Sequence, residues 1–196
     1  MNLYEFEGKN LFAKYGIATP KGVVVWRGDD FKSKYQELGI KDVVVKAQVL
    51  SGKRGKSNGI RFCSNEKDAQ IVAEELFGSN ISGQYVEAVL IEEKLDIAEE
   101  HYLSITYDTN AKQPVMIYSS AGGMDIEDVS EEKITKKLLD VRQSVIPTEV
   151  EESLSPEVKG SLGSARDDIA QKLWQCFIQE DTRLVEINPL IKTKDG

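Results

Sequence analysis

A basic window without acids runs from Val43 to Asn65 and is the first feature of this sequence that could carry chemistry. Its 23 residues hold no Asp or Glu and five basic residues: Lys46, Lys53, Arg54, Lys56 and Arg61. The chain has 33 acids among 196 residues, so about four would be expected in this window. Its glycines let the backbone approach an anion closely and point amides at it. The window predicts a phosphate-binding loop, and a solvated basic hairpin turn is the alternative.

Lys46 follows directly after a run of three valines. An ammonium group in a buried strand is costly to desolvate unless an anion accompanies it, and a nucleotide phosphate would be such an anion. The glycines match neither the pattern G-x-x-x-x-G-K-[ST] nor G-x-G-x-x-G. We therefore expect a phosphate site of a third kind.

A cluster of acidic residues follows an apolar segment that ends at Ile91. It consists of Glu92, Glu93, Asp96, Glu99 and Glu100. Carboxylates near a nucleotide commonly serve Mg²⁺ or accept hydrogen bonds from adenine and ribose. A solvated run of charge is the alternative. We interpret the neighbouring His101 as a surface or packing residue, not as a catalytic one.

Glu186 and Asn188 lie two positions apart in an otherwise apolar segment, so a strand would place both on one face. Oxygen-bearing side chains in this arrangement suit a hard cation such as Mg²⁺. The polar face of an edge strand is the alternative. Pro189 holds Asn188 in an extended conformation.

Composition and charge exclude several classes of protein. The net charge of −8 argues against a nucleic-acid partner. No apolar run reaches 18 residues, which argues against a membrane protein. The first residues carry acids where a signal peptide would be basic and apolar, and the two cysteines are far apart. These features predict a cytoplasmic protein without a disulfide framework or a zinc site.

The elements that must position these residues are helices and strands in an irregular order. Asn2 is the predicted cap of the first helix, with Gly16 as its stop, Asp29 caps the second and Asn65 the third. Helices are expected at 3–15, 29–38, 65–77, 130–140 and 163–179. Strands are expected at 22–26, 42–47, 60–62, 85–92, 102–107, 115–119 and 183–187, the fourth with alternating burial. An acidic linker is predicted between Pro147 and Pro156, and a hairpin turn at the end of the chain. This order favours an α+β fold over a doubly wound parallel sheet.

Five motifs in series resemble the β-subunit family of the succinyl-CoA synthetases, which belongs to the ATP-grasp superfamily. In this sequence they are 2–6 with 11–16, 45–48 with 52–56, 90–92 with 96–103, 122–127, and 186–190. The resemblance covers essentially the whole chain. It implies an α+β fold of the ATP-grasp type, with mixed or antiparallel sheets flanked by helices.

The resemblance also implies roles for individual residues. The phosphates of ATP would be held by Lys46 and by the turn formed by Lys53, Arg54 and Gly55. Adenine would meet Glu92 and the backbone at Leu95, Glu100 would lie near the ribose, and Asn188 would be a Mg²⁺ ligand. Pro20 favours ATP over GTP.

The implied activity joins a carboxylic acid, succinate, to CoA and converts ATP to ADP and phosphate. The phosphoryl group passes through an acyl phosphate and a phosphohistidine carried by a separate α subunit, which also holds most of the CoA site. His101 is therefore not that histidine. Malate–CoA ligase, citryl-CoA synthetase and ATP-citrate lyase share the motifs. A nucleotide-binding module without turnover and a structural subunit with a merely solvated basic loop are further alternatives.

We expect the chain to be a truncated ATP-grasp region. The predicted inner lobe spans 21–100, and the outer lobe comprises 1–20 and 101–196. Relatives continue past Gly196 into a strand with a second Mg²⁺-binding aspartate and then into a CoA-ligase domain, which is absent here. Alone, the chain is expected to be inactive.

Overall fold

The computed structural model describes residues 2–51, 57–142 and 163–194. The chain forms two compact units, the first made of Met1–Leu11 and Ala18–Leu95, the second of Phe12–Ile17 and Asp96–Gly196. Each unit contains a four-stranded antiparallel sheet, and helices accompany both sheets. This confirms the predicted α+β fold with antiparallel sheets. The predicted lobe boundaries remain a prediction.

The first unit is built on a sheet with strand order β1-β6-β2-β3. Helix α1 begins in this unit and ends in the second. A two-stranded hairpin, β4-β5, completes the unit. In chain order the elements are α1 (Glu5–Lys14), β1 (Gly22–Trp26), α2 (Phe31–Leu38), β2 (Val43–Gln48), β3 (Ile60–Cys63), α3 (Glu66–Leu76), β4 (Asn80–Ile81), β5 (Gln84–Tyr85) and β6 (Ala88–Glu93).

The two central strands, β2 and β6, are buried on both faces. On one face of the sheet, the strands pack against α2 and α3 and form an apolar core. This core includes Val43, Val45, Val89 and Ile91. The prediction of alternating burial over 85–92 is therefore wrong. The strand begins at Ala88, and a central strand covered on both sides has no solvated face to alternate with.

Helix α1 lies on the other face of the first sheet. The backbone N–H of Phe6 donates to Gln48 Oε1 over 3.2 Å, and the Phe6 ring meets Trp26 edge-on at 6.2 Å. The helix begins at Glu5, where the Tyr4 N–H donates to the Glu7 carboxylate over 2.8 Å. The predicted cap at Asn2 is wrong. The carboxylate that accepts from the backbone N–H at the start of the helix is Glu7 and not Glu5, so the helix is capped at Tyr4, two residues later than predicted.

The other predicted helix ends are mostly confirmed. Gly16, at φ 72°, ends α1, as the Ile17 N–H returns to the Phe12 carbonyl over 3.1 Å. Asn65 caps α3. Asp30, not Asp29, caps α2, since the Asp29 carboxylate instead accepts from the Trp26 N–H.

The second unit carries the sheet β10-β7-β8-β9 and helix α4. Its elements are β7 (Ile97–Asp108), β8 (Gln113–Ser119), β9 (Ile134–Leu138), α4 (Gly163–Gln179) and β10 (Leu184–Thr193). Leu173, Trp174 and Phe177 of α4 are buried, as the helical spacing predicted. The Phe177 ring lies 5.9 Å from Trp174 and 5.2 Å from Tyr107 of β7.

The helix predicted over 130–140 is wrong. Glu131–Lys133 forms a single 3₁₀ turn, and β9 follows as an edge strand paired with β8, from Ser119 opposite Ile134 to Val115 opposite Leu138. Pairing with the free edge of β8 outweighed the helical pattern, and Ile134 and Thr135 are β-branched residues that favour a strand.

Strand β10 is longer than predicted. It continues to Thr193 past an irregularity between Ile187 and Leu190, which contains a cis Asn188–Pro189 bond. The predicted linker between Pro147 and Pro156 and the terminal hairpin turn at Gly196 lie outside the described residues. In the described part of the chain, no helix is both long and apolar enough to span a membrane.

Candidate functional site

Lys46 of β2 points to the face of the first sheet that α1 covers. Its ammonium lies 3.2 Å from a carboxylate oxygen of Glu5 and 2.6 Å from one of Glu92, and the side chain is 19% exposed. Burial alone would lower the pKa of Lys46, but the Glu5 and Glu92 carboxylates outweigh it and raise the pKa above its ordinary value. The lysine chosen from the sequence is thus held in its charged form.

Glu92 is more deeply buried than Lys46 or Glu5, with its side chain 1% exposed. It lies opposite Val44 on one neighbouring strand and Gly22 on the other. A Cβ at Gly22 would come within 2.9 Å of Glu92 Cγ, so the glycine leaves the space that the carboxylate occupies. Lys9 of α1 binds Glu92 Oε1. The other Glu92 oxygen, Oε2, lies 2.6 Å from the Lys46 ammonium.

Glu5, Lys9, Lys46 and Glu92 together form what we call the charge cluster. Lys9 also lies 3.0 Å from Glu5, so each lysine contacts both carboxylates and the formal charges balance. Sequence reasoning found Lys46 and Glu92 but missed Glu5 and Lys9. Their spacing of four residues on a helix was a visible signal for a mutual ion pair, but it does not reveal what the pair faces.

The rest of the predicted phosphate loop is only partly described. Lys53, Arg54 and Gly55 lie outside the described residues, so their role stays a prediction. Arg61 is described and forms a surface ion pair with Glu75 of α3. Leu95, expected to meet adenine through its backbone, follows β6 and is half-buried.

In the second unit, Glu100 and Asn188 meet at the turn formed by Gly122 and Gly123. The Gly122 N–H donates to the Glu100 carbonyl over 3.0 Å. Asn188 Oδ1 accepts from the Gly123 N–H, and its Nδ2 donates to the Met124 carbonyl, both over 2.9 Å. A Cβ at Gly122 would lie 2.2 Å from the carbonyl oxygen of His101, so only glycine fits against β7 there. The structure therefore brings two predicted site residues to one turn.

The oxygen atoms of Glu186 and Asn188 suit Mg²⁺ in type, and both residues are exposed. Glu186 accepts a 2.7 Å hydrogen bond from the Tyr102 hydroxyl, and burial together with this carboxylate raises the pKa of Tyr102. Across 2–51, 57–142 and 163–194, no group of three His, Cys, Asp or Glu residues could hold a metal. A magnesium ion here would rely on phosphate or water oxygens for its other ligands, and Asn188 as a ligand stays a prediction.

A second polar group, the histidine cluster, consists of the buried His101, Tyr118 and Arg166 together with the exposed Glu99. His101 Nδ1 lies 2.9 Å from the Tyr118 hydroxyl, and Nε2 lies 3.2 Å from Glu99. The Arg166 guanidinium lies over the Tyr118 ring at 5.1 Å. Burial lowers the pKa of His101 despite Glu99. The position agrees with the interpretation of His101 as a packing residue.

Relatives with known names match the whole chain. It is 45% identical over 203 aligned residues to the succinate–CoA ligase (ADP-forming) subunit beta of Methanocaldococcus jannaschii, and 39% identical to that of Methanothermobacter thermautotrophicus. Each alignment covers 100% of this chain and 54% of the relative. The chain thus spans about half the length of the curated relatives that it matches.

Solved structures show the same fold. An ATP citrate lyase from Methanothrix soehngenii superposes with a TM-score of 0.78 at 22% identity, over 100% of this chain and 48% of that one. A dinucleotide-forming acetyl-coenzyme A synthetase 1 from Ca. Korarchaeum cryptofilum gives 0.73 at 15% identity, over 100% and 89%. The ATP-grasp domain family (ATP-grasp_2) matches residues 2–192, and with this match over nearly its whole length the chain belongs to that family.

Proposed function

We propose that this chain is the nucleotide-binding part of the β subunit of an ADP-forming succinate–CoA ligase and that it binds Mg·ATP. The observation that carries the proposal is the pairing of a charged, partly accessible Lys46 with the buried carboxylate of Glu92. The first group can bind a phosphate, and the second can accept a hydrogen bond from the amino group of adenine. The two named relatives, at 45% and 39% identity, support the same conclusion.

The other site residues complete the proposed role. Lys53, Arg54 and Gly55 would hold phosphates, the Leu95 backbone would bind adenine, and Glu100 would lie near the ribose. Asn188 would hold Mg²⁺, which neutralises charge on the phosphates during transfer. Phosphoryl transfer needs positioning and cationic stabilisation more than a protein nucleophile, and a charged lysine supplies that stabilisation.

The acceptor of the phosphoryl group lies on another subunit in this proposal. His101 is the only histidine of the chain, and it is buried between Tyr118 and Glu99. It is therefore not placed to carry a phosphoryl group to another site. A phosphohistidine on an α subunit would do so, and that subunit would also supply most of the CoA site.

Among the alternatives, ATP citrate lyase has a direct structural likeness to this chain. At 22% identity that likeness shows the fold alone. The relatives named succinate–CoA ligase are 34–45% identical over the whole chain and therefore favour succinate as the acid. Ligation assays with succinate, malate and citrate in the presence of an α subunit would rank the three acids.

Calorimetric titration with Mg·ATP tests the proposed site. We expect wild-type protein to bind and Lys46→Met to weaken binding at least tenfold, because a charged contact to phosphate is lost. Lys67→Met is a matched control, since Lys67 is an exposed lysine on α3 of the same unit. Absence of binding by the wild type, or equal affinity in Lys46→Met, would contradict the proposal.

A further inference from the structure

The lysine proposed to bind phosphate is already held by two carboxylates. Lys46 contacts Glu5 at 3.2 Å and Glu92 at 2.6 Å. A phosphate that approached this ammonium would meet two like charges at once, and like charges at such distances repel strongly when partly buried. Binding therefore requires that the protein keep these carboxylates neutralised by another group.

We propose that Glu5 and Lys9 of α1 are positioning residues for the nucleotide site. When a phosphate binds Lys46, Glu5 releases Lys46 and keeps its ion pair with Lys9. Lys9 remains the counter-ion of both carboxylates. The inference rests on the proposed binding of phosphate by Lys46. It assigns a role to the opening helix, which contributes no atom to the proposed nucleotide contacts.

Lys9 is placed to neutralise Glu92 on its own. It binds Glu92 Oε1, whereas Lys46 contacts Oε2. A buried carboxylate that loses its counter-ion carries a large desolvation cost. If Lys46 were the only cation beside Glu92, its turn towards a phosphate would leave that charge uncompensated. The second ammonium, from Lys9, removes this cost.

Glu5 has a second cation within reach. Its carboxylate lies 3.0 Å from Lys9, one helical turn further along α1, in the order of Glu before Lys that stabilises a helix. It can therefore release Lys46 and keep an ion pair without a change in the helix. The phosphate then replaces one carboxylate at Lys46, and the four charges of the cluster still balance among themselves.

The position of α1 on the sheet is fixed beside these residues. The Phe6 N–H, next to Glu5, donates to the buried Gln48, two residues after Lys46 on β2. Gln48 Nε2 in turn donates to the Lys46 carbonyl over 3.1 Å. The helix and the strand are thus tied together at the cluster, so the exchange of partners requires only side-chain rotation.

A purely structural cluster would behave differently from an exchanging one. If the four charges only stabilised the fold, loss of either α1 residue would lower stability and leave affinity for Mg·ATP unchanged. If they exchange, the two substitutions act in opposite directions. Lys9→Met leaves the carboxylates in excess and keeps Lys46 engaged, whereas Glu5→Gln removes a competitor for Lys46.

The experiment measures Mg·ATP affinity by calorimetry for the 196-residue chain and its variants. We expect Lys9→Met to weaken binding roughly tenfold and Glu5→Gln to tighten it roughly threefold, within the usual range for coupled charges. The double variant Glu5→Gln/Lys9→Met leaves Lys46 as the only cation beside the buried Glu92 and should therefore bind as weakly as Lys9→Met, to within roughly threefold. Lys14→Met, an exposed lysine of the same helix, is the control and should match wild type.

Shifts in the same direction for both single variants, or no shift in either while Lys46→Met abolishes binding, would overturn the inference and leave the proposed function standing. Wild-type protein that does not bind Mg·ATP would overturn the proposed function itself. If Lys9→Met does not fold, the Glu5→Gln arm decides: tighter binding supports the exchange, and unchanged or weaker binding overturns it.

Discussion

The charge cluster on the first sheet and the histidine cluster on the second each place a basic side chain beside carboxylates, but the net pKa shifts of the two bases are opposite. In the charge cluster, two carboxylates outweigh desolvation, and the pKa of Lys46 is raised. In the histidine cluster, desolvation outweighs the single carboxylate of Glu99, and the pKa of His101 is lowered. Glu99 is exposed and shared with Lys192 at 3.0 Å.

The difference shows what decides the charge of a buried base. Glu92 is itself buried, so its field acts on Lys46 with little screening by water. Glu99 is open to solvent, and the positive charge of Arg166 lowers the pKa of His101 further. The first cluster therefore holds a cation that can meet an anionic ligand, and the second holds a neutral ring that packs.

Loss of the buried charge at Glu92 should destabilise the charge cluster more than any other substitution discussed below. Glu92→Gln keeps the shape but leaves two ammonium groups with one carboxylate, and we expect a loss of about 3 kcal/mol in the free energy of unfolding, typical of a broken buried ion pair. Urea denaturation measures the loss. The control is Glu87→Gln, whose exposed pair with Arg27 at 3.8 Å should be worth less than about 1 kcal/mol. Equal losses in the two variants would show that burial does not matter here.

Two glycines that make room for the clusters give a second test. A Cβ at Gly122 would meet the backbone of His101 at 2.2 Å, which cannot move alone, so Gly122→Ala should cost about 3 kcal/mol. At Gly22 the closest atom is Glu92 Cγ, a side-chain atom at 2.9 Å, and Gly22→Ala should cost about half as much. Gly22→Ala should also weaken Mg·ATP binding by displacing Glu92. Thermal unfolding and calorimetry separate the two effects, and a larger loss at Gly22 would contradict this order.

The lowered pKa of His101 should make the stability of the histidine cluster depend on pH. Because the folded pKa of His101 lies below its ordinary value of about 6.5, the unfolded chain binds the proton first as the pH falls. Stability should therefore decrease below about pH 6.5, by at most about 1.4 kcal/mol per pH unit, until the folded pKa is reached. His101→Gln should remove this slope, as denaturation at several pH values would show. A slope that persists in the variant would assign the effect to carboxylates.

Much of the fold could be predicted because its signals are local. The β-branched run at β1 and the apolar face of α4 gave the observed boundaries, and Asn65 caps α3 as its side chain allows. The failures are of a different kind. The segment 134–138 became a strand because β8 had a free edge, and β6 lost its alternation because two layers cover it. Neither neighbour is visible in a short window of sequence.

The residues of the candidate site also fall into those that the sequence predicts and those that only the structure reveals. Lys46 and Glu92 could be recognised from the sequence because each is a charged residue directly after an apolar run, where an unpaired charge would be costly to bury. Gly22 did not stand out, because a glycine at the start of a strand has many uses. A glycine is needed at position 22 because the Glu92 side chain of the neighbouring strand lies against it, and this contact forms only when β1 and β6 pair.

Charge, glycine content and periodicity are properties of neighbouring residues, so one basic, glycine-rich window and an α+β order of elements can be read from the sequence alone. Which charges meet depends on how the elements pack. Glu5 lies 41 positions from Lys46, and Lys9 lies 83 positions from Glu92. Only the packing of α1 across the first sheet brings them together, and that contact makes the nucleotide lysine a charged member of a balanced group.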